Sequence, residues 1–151
     1  ETAIVNRMEE LIQQNGHPLP GVLDTTAFLI ENKIKVGLAT SSYKVLIETV
    51  LETLNIRDRF EVVHSAEDEA YGKPHPAVYL SVAELLNVNP ETCLVIEDSL
   101  NGIISGKAAK MKVVCIPEKS HHPEPKLNVA DFMFENMSLF LADINTKLNE
   151  K

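Results

Sequence analysis

Apolar residues along this chain recur with two alternating periods. Helical spacing of apolar side chains occurs over residues 3–14, 22–30, 46–54, 78–86 and 99–111. Short apolar runs rich in β-branched residues occupy 34–39, 60–64, 92–96 and 112–116. The first pattern predicts amphipathic helices, and the second predicts strands that are buried inside a sheet. The chain is therefore expected to alternate between the two kinds of element.

Strands that alternate with helices favour crossover connections and a parallel sheet flanked by helices, which is an α/β fold. The region 117–128 is proline-rich, contains His121-His122, and is predicted to be a surface loop without a metal site. A weak strand at 132–134 and a last helix capped by Ser138 are expected to follow. The length of 151 residues fits a single core domain.

Charge and composition exclude several classes of function. The 14 basic and 22 acidic residues give a net charge of −8, which disfavours binding to nucleic acid or to an anionic membrane surface. No apolar run reaches the roughly 20 residues that a membrane-spanning helix needs. Cys93 and Cys115 lie inside apolar runs and are expected to be buried thiols, as in a cytoplasmic protein.

Polar residues that could carry chemistry follow the predicted strands. Parallel sheets bind ligands at the carboxyl ends of their strands, so Thr40, Ser41 and Ser42 form one candidate group. The adjacent carboxylates Glu97 and Asp98 form a second group, and oxygen ligands of this kind suit Mg²⁺. Each group also has an ordinary structural explanation as a helix cap.

Lys73 lies in a turn stiffened by two prolines, where its ammonium could neutralise a phosphate or could simply be solvated. The hydroxyls, the lysine and the paired carboxylates are more informative together. They supply hydrogen-bond donors, positive charge and metal ligands, which are the requirements of phosphoryl transfer.

Four stretches of the sequence resemble the haloacid dehalogenase-like phosphohydrolases, in the β-phosphoglucomutase-like subgroup. They are 36–42, 72–76, 95–102 and, more weakly, 108–114. The resemblance implies a Rossmann-like core and a Mg²⁺ cofactor. It assigns the phosphate-binding hydroxyl to Thr40, the charge-neutralising lysine to Lys73, and the metal ligands to Asp98 and Glu97. Ser41, Ser42 and Lys44 are expected to face a small phosphorylated substrate.

The sequence also departs from that family. The first family motif, a strand ending in D-x-D-x-T, supplies the nucleophilic aspartate and is absent from these 151 residues. Asp24 is no substitute, because it lies within a predicted helix rather than after a strand. The family places the missing strand in the centre of the sheet, between the strands that end at Thr40 and at Asp98. We therefore expect residues 1–16 to be the end of a helical cap, residues 17–151 to be the core, and the nucleophile to lie outside this chain.

Three functions remain open at this point. The favoured one is Mg²⁺-dependent hydrolysis of a small phosphorylated metabolite such as a sugar phosphate by a longer protein. A phosphomutase is an alternative. The two activities differ mainly in how the cap treats water and the phosphorylated intermediate, and most of the cap is expected to lie outside these residues. An inactive phosphate-binding or protein-interaction module is another, because this chain alone lacks a nucleophile. A receiver-like signalling domain is disfavoured, because the sequence lacks a phosphoacceptor at the expected strand end. The sequence carries no signature of oligomeric state.

Overall fold

The computed structural model describes residues 2–118 and 125–149. The helices are α1 (Thr2–Asn15), α2 (Val22–Glu31), α3 (Lys44–Thr53), α4 (Ala77–Leu85), α5 (Leu100–Ala108) and α6 (Met137–Asn149). The strands are β1 (Gly37–Thr40), β2 (Val62–Ser65), β3 (Leu94–Glu97), β4 (Lys112–Cys115) and β5 (Phe132–Met133). This order confirms the predicted alternation of helices and strands. His121-His122, in the predicted loop, lies outside the described residues.

The strands form two parallel sheets instead of one. β1 pairs with β2, and β4 lies between β3 and β5. The parallel pairing confirms the α/β class and the flanking helices. Within residues 2–118 and 125–149, one edge of β1 and one edge of β3 have no strand partner. These edges belong to the two strands between which the resemblance places the absent strand.

A repeated turn ends the helices that lead into strands. In α2, Lys33 adopts a left-handed φ of 58°, and the next amide, Ile34 N, donates to Leu29 O at 2.9 Å. This is the geometry of a Schellman C-cap. It explains why β1 begins at Gly37 and not at the predicted residue 34, because the first apolar residue of the run closes the helix. Left-handed residues occupy the equivalent position after α3, α4 and α5, at Asn55, Asn87 and Lys110.

The start of α6 differs from the prediction that Ser138 caps it. The helix begins at Met137, and the Asn136 side chain accepts a hydrogen bond from Leu139 N at 2.9 Å. Ser138 instead faces Gly21, whose φ of 86° and lack of a Cβ let the start of α2 approach α6 closely. A Cβ at Gly21 would lie 2.6 Å from Ser138 Oγ, so this contact tolerates no side chain. The cap of α6 is therefore Asn136, and Ser138 lies in the contact between α2 and α6.

Two apolar clusters support the site. One joins α4 and α5 to β3 and β4 through fully buried residues such as Val78, Ile103 and Val113. The other packs Ile47 and Leu51 of α3 near the first sheet. Burial of these side chains fixes the strands relative to the helices, because apolar area removed from water is the main stabilising term. No helix in the described part of the chain has the length and hydropathy needed to span a bilayer.

We expect Asp131→Asn to lower the free energy of unfolding by about 1–2 kcal/mol at pH 7. The Asp131 carboxylate is 14% exposed, binds Lys107 at 2.7 Å, and accepts from Val113 N at 2.8 Å. Lys107 chiefly, with the Val113 amide and Lys112, lowers the pKa of Asp131 to about 2. Because the folded-state pKa lies below the unfolded value of about 3.9, this stabilisation is present above pH 4 and disappears as the pH falls towards 2.

Urea unfolding at pH 7, 4 and 3 measures this effect. The difference between wild type and Asp131→Asn should shrink as the pH falls, because the wild-type carboxylate becomes protonated. Asp143→Asn is a suitable control, since Asp143 pairs with Lys147 on the surface of α6 and such pairs contribute about 0.5 kcal/mol or less. A pH-independent difference for Asp131→Asn would contradict the assignment.

Candidate active site

The candidate site is an open cleft of about 620 Å³ at the carboxyl ends of β1 and β3. Thr40, Ser41 and Ser42 line one side, Glu97 and Asp98 line the other, and Lys73 lies between them. The structure therefore gathers six of the seven residues predicted from the sequence, although they come from three separate stretches. Parallel strands explain this convergence, since their carboxyl ends lie at one edge.

The Lys73 side chain contacts residues on both sides of the cleft. Its Nζ donates to Ala39 O of β1 at 3.4 Å, forms an ion pair with Glu97 Oε1 of β3, and donates to Tyr79 Oη at 2.9 Å. The turn that carries Lys73 is fixed to α5, because the fully buried Ser105 hydroxyl donates to His75 O at 2.8 Å. The ammonium is thus held by its surroundings and is not freely solvated.

Both oxygens of the Glu97 carboxylate accept hydrogen bonds from neighbouring residues. Oε1 accepts from Lys73 and Tyr79, while Oε2 accepts from Ser99 Oγ at 3.0 Å and Asp98 N at 3.2 Å. Burial by itself raises the pKa of Glu97, but the Lys73 and Tyr79 hydrogen bonds outweigh burial and hold this pKa below its ordinary value. Glu97 therefore carries a negative charge at neutral pH.

The pKa of Asp98 is shifted in the opposite direction to that of Glu97. Partial burial and then the neighbouring Glu97 charge raise the pKa of Asp98 above its ordinary value. A cation between the two carboxylates would relieve this repulsion, so the pair fits Mg²⁺. No cluster of three or more potential metal ligands occurs in the described residues.

The loop after β1 supplies polar groups opposite the carboxylates. Thr40 Oγ1 accepts from Ser42 N at 3.1 Å, and Ser65 Oγ donates to Ser42 O at 2.8 Å. These bonds shape the loop before α3, whose first amides have no partners inside the helix. Hydroxyl and amide donors of this kind suit an anion.

Lys44 is the one predicted residue that does not line this cleft. Its Nζ pairs with Asp68 at 2.5 Å, and its backbone amide donates to Glu67 Oε2 at 2.5 Å. The hydrogen bond from Lys44 to Asp68 raises the pKa of the lysine. Lys44 borders an adjacent cleft between α1 and α3.

Sequence reasoning missed two residues that shape the site. Tyr79 was predicted only as part of an apolar helix face, yet its hydroxyl reaches both Lys73 and Glu97. Gly102 was noted only within the family motif, yet a Cβ at this position would overlap the Glu97 carboxyl group. Neither role has a local signal, because both depend on how α4 and α5 pack against β3.

The fold and the site together define a parallel α/β protein with a cationic and carboxylate cleft at its strand ends, as expected of phosphoryl-transfer proteins. A family model for haloacid dehalogenase-like hydrolases matches residues 1–110. The chain belongs to this family.

Individual relatives support the same family. Their alignments also give the fraction of each relative that this chain covers. Hexitol phosphatase B of Escherichia coli (strain K12) is 37% identical over 139 residues, which are 92% of this chain and 63% of that protein. Phosphoglycolate phosphatase of Nitrosococcus oceani is 30% identical over 81% of this chain and 54% of its own length. The crystal structure of a β-phosphoglucomutase from Clostridium difficile superposes with a TM-score of 0.81 and 31% identity, over 99% of this chain and 63% of that chain. This chain therefore spans less than two thirds of these relatives.

Proposed function

We propose that the protein containing this chain is a Mg²⁺-dependent phosphatase acting on a small phosphorylated metabolite such as a sugar phosphate. The convergence of Thr40, Lys73 and the Glu97-Asp98 pair around one open cleft carries this proposal. The cleft has donors for phosphate oxygens, a held positive charge, and two carboxylates that repel each other. The likeness to hexitol phosphatase B supports a phosphorylated sugar or sugar alcohol as the substrate class.

Each group has a defined task in this proposal. Thr40, Ser41 and Ser42 bind phosphate oxygens, and Lys73 neutralises phosphate charge during transfer. Asp98 and Glu97 hold Mg²⁺, which when bound supplies further positive charge against the phosphate. Lys44 is assigned to contact substrate, and its ammonium pairs with Asp68 beside the cleft.

The nucleophilic carboxylate comes from outside these 151 residues in this proposal. A strand that enters between β1 and β3 would pair with both free edges and end beside Thr40 and Asp98. Support comes from the pairing pattern, because unpaired strand edges are normally covered. Asp24 has no such position, since it lies in helix α2 and not after a strand.

Residues 1–16 are assigned to the end of a helical cap, and residues 17–151 to the core. Support comes from α1, which contacts α3 through Glu9 Oε1 and Thr49 Oγ1 at 3.4 Å. The opposite face of α1 exposes Ile4, Met8 and Leu11 at helical spacing, as expected of a helix that packs on a further segment.

A cytoplasmic location is also part of the proposal. Cys93 and Cys115 are both free thiols, which fits a reducing compartment. The acidic net charge of −8 argues against nucleic acid and anionic membranes as partners.

Asp98→Asn is expected to lower kcat/KM of the full-length protein about 100-fold, because loss of a metal-ligand charge weakens Mg²⁺ binding. The assay is phosphate release from a panel of sugar and sugar-alcohol phosphates, with Mg²⁺ and after EDTA. Excess Mg²⁺ should recover part of the lost activity. Asp24→Asn is the matched control, and should stay within about twofold of wild type because Asp24 lies on helix α2.

The same assay separates the competing functions. Phosphate release that stops with EDTA supports the phosphatase. A phosphomutase, which the likeness to β-phosphoglucomutase favours as the second candidate, would isomerise a sugar phosphate without net phosphate release. Calorimetric binding of Mg²⁺ and phosphate without turnover by the full-length protein would support an inactive binding module. Wild-type activity in Asp98→Asn would overturn the assignment of the metal site.

A further inference from the structure

Tyr79 is a buried phenol at the junction of the two charged residues of the site. It lies on α4, is 7% exposed, and belongs to the main apolar cluster. Its hydroxyl accepts from Lys73 Nζ at 2.9 Å and donates to Glu97 Oε1. The Lys73 ammonium also lies 4.7 Å from the centroid of the Tyr79 ring. The ring and the hydroxyl of Tyr79 thus make separate contacts.

The hydrogen-bond inventory of Lys73 explains why the hydroxyl matters. An ammonium has three donors, and Ala39 O, Tyr79 Oη and Glu97 Oε1 are its three partners. To neutralise the charge that develops on a phosphate during transfer, Lys73 must therefore redirect at least one donor. Ala39 O, at 3.4 Å, is the longest of the three contacts, but a donor taken from Glu97 would leave this buried carboxylate with one fewer donor.

Such a loss is costly because Lys73 and Glu97 are only 10% and 8% exposed. Ser99 and the Asp98 amide donate to Oε2. Without Lys73, the Oε1 atom would therefore depend on Tyr79 for its hydrogen bond, and a buried acceptor without a donor is unfavourable. A phenol can donate one hydrogen bond and accept another at the same time. Tyr79 can therefore keep donating to Glu97 while the lysine turns towards a ligand.

We propose that Tyr79 is a positioning residue that retains a hydrogen bond to Glu97 while Lys73 transfers a donor to the substrate phosphate. This role rests on the phosphoryl-transfer function proposed above. Tyr79 acts through Lys73 and Glu97, which its hydroxyl contacts, and it does not itself line the cleft. Its ring also packs in the core, so the test must separate the hydroxyl from the ring.

Tyr79→Phe makes that separation, because it removes the hydroxyl and retains the ring with its cation–π contact. We expect kcat of the full-length protein for a sugar phosphate to fall about 10-fold, since hydrogen bonds to charged groups are among the strongest in proteins. KM should change less than about twofold, because the contacts of the bound ground state are retained. Tyr71→Phe is the matched control, since Tyr71 is 66% exposed and lies outside the cleft.

A double-mutant cycle provides the readout that a purely structural role would not move. In a Glu97→Gln background, Tyr79→Phe should lower the residual kcat by less than about twofold, because the carboxylate that Tyr79 serves is gone. Circular dichroism of each variant confirms that it is folded. If Tyr79→Phe lowers kcat by the same factor in wild type and in Glu97→Gln, then Tyr79 acts only through packing and the proposal is overturned.

The outcomes distinguish failure of this inference from failure of the proposed function. An active wild type with an unchanged Tyr79→Phe kcat overturns the inference alone. A Tyr79→Phe variant with a raised KM and an unchanged kcat also overturns it, because Tyr79 would then affect substrate binding only. A full-length wild type that hydrolyses no phosphate ester in the presence of Mg²⁺ overturns the proposed function and this inference together.

Discussion

Replacing Lys73 with methionine is expected to lower kcat/KM of the full-length protein about 1000-fold, because a positioned positive charge is lost where phosphate charge develops. The same change should lower the free energy of unfolding by about 3 kcal/mol, since it leaves Glu97 as a buried carboxylate without its cationic partner. Tyr79 and Ser99 still donate to Glu97, which places the cost at the lower end for a broken buried pair. Steady-state phosphate release and urea unfolding measure the two effects.

The Lys73→Met/Glu97→Gln double variant separates these two effects. It removes both charges of the buried pair, so most of the lost stability should return. Activity should stay at the level of Lys73→Met or below, because neither change restores positive charge to the cleft. Recovery of activity together with stability would mean that Lys73 serves the fold alone and would contradict its catalytic assignment.

Gly102→Ala is expected to lower kcat about 100-fold and the free energy of unfolding by about 1–3 kcal/mol. Gly102 lies in the first turns of α5, and a Cβ there would overlap the Glu97 carboxyl group. Glu97 cannot move aside cheaply, because Lys73, Tyr79 and Ser99 all donate to it. The added methyl group would therefore displace the acceptor that orients Lys73.

Gly72→Ala is the matched control for this prediction. A Cβ at Gly72 meets no atom within 4 Å, although Gly72 directly precedes Lys73. We expect its kcat and its urea midpoint to stay near wild type. A Gly102→Ala variant that is as active as Gly72→Ala would show that the position of Glu97 does not matter for turnover.

The local sequence pattern is sufficient for most of the fold, because helical and strand periods report which face of an element is buried. The boundaries are less well determined. The predicted start of β1 at residue 34 fails because Ile34 N closes the end of α2 at Leu29 O. The predicted cap at Ser138 fails because Asn136 accepts from the Leu139 amide instead. Both boundaries are set by single hydrogen bonds at helix ends, which the spacing of apolar residues does not report.

The candidate site was likewise only partly predictable from the sequence. Thr40, Glu97 and Asp98 could be selected from the sequence, since each follows a predicted strand and parallel strands end at one edge. Lys44 was selected as well, but the structure pairs it with Asp68, a residue 24 positions away. Sequence spacing could not show that this competing carboxylate lies beside the lysine.

The sequence by itself determined the order of helices and strands, the parallel α/β class and the family resemblance, because these depend on local periodicity and contiguous motifs. Only the tertiary structure decided that Tyr79 joins Lys73 to Glu97, and that Gly102 leaves room for the same carboxylate. The reason is geometric. Contacts between α4, α5 and β3 depend on how these elements pack in three dimensions, and a shift of about one ångström would break the hydrogen bonds between them.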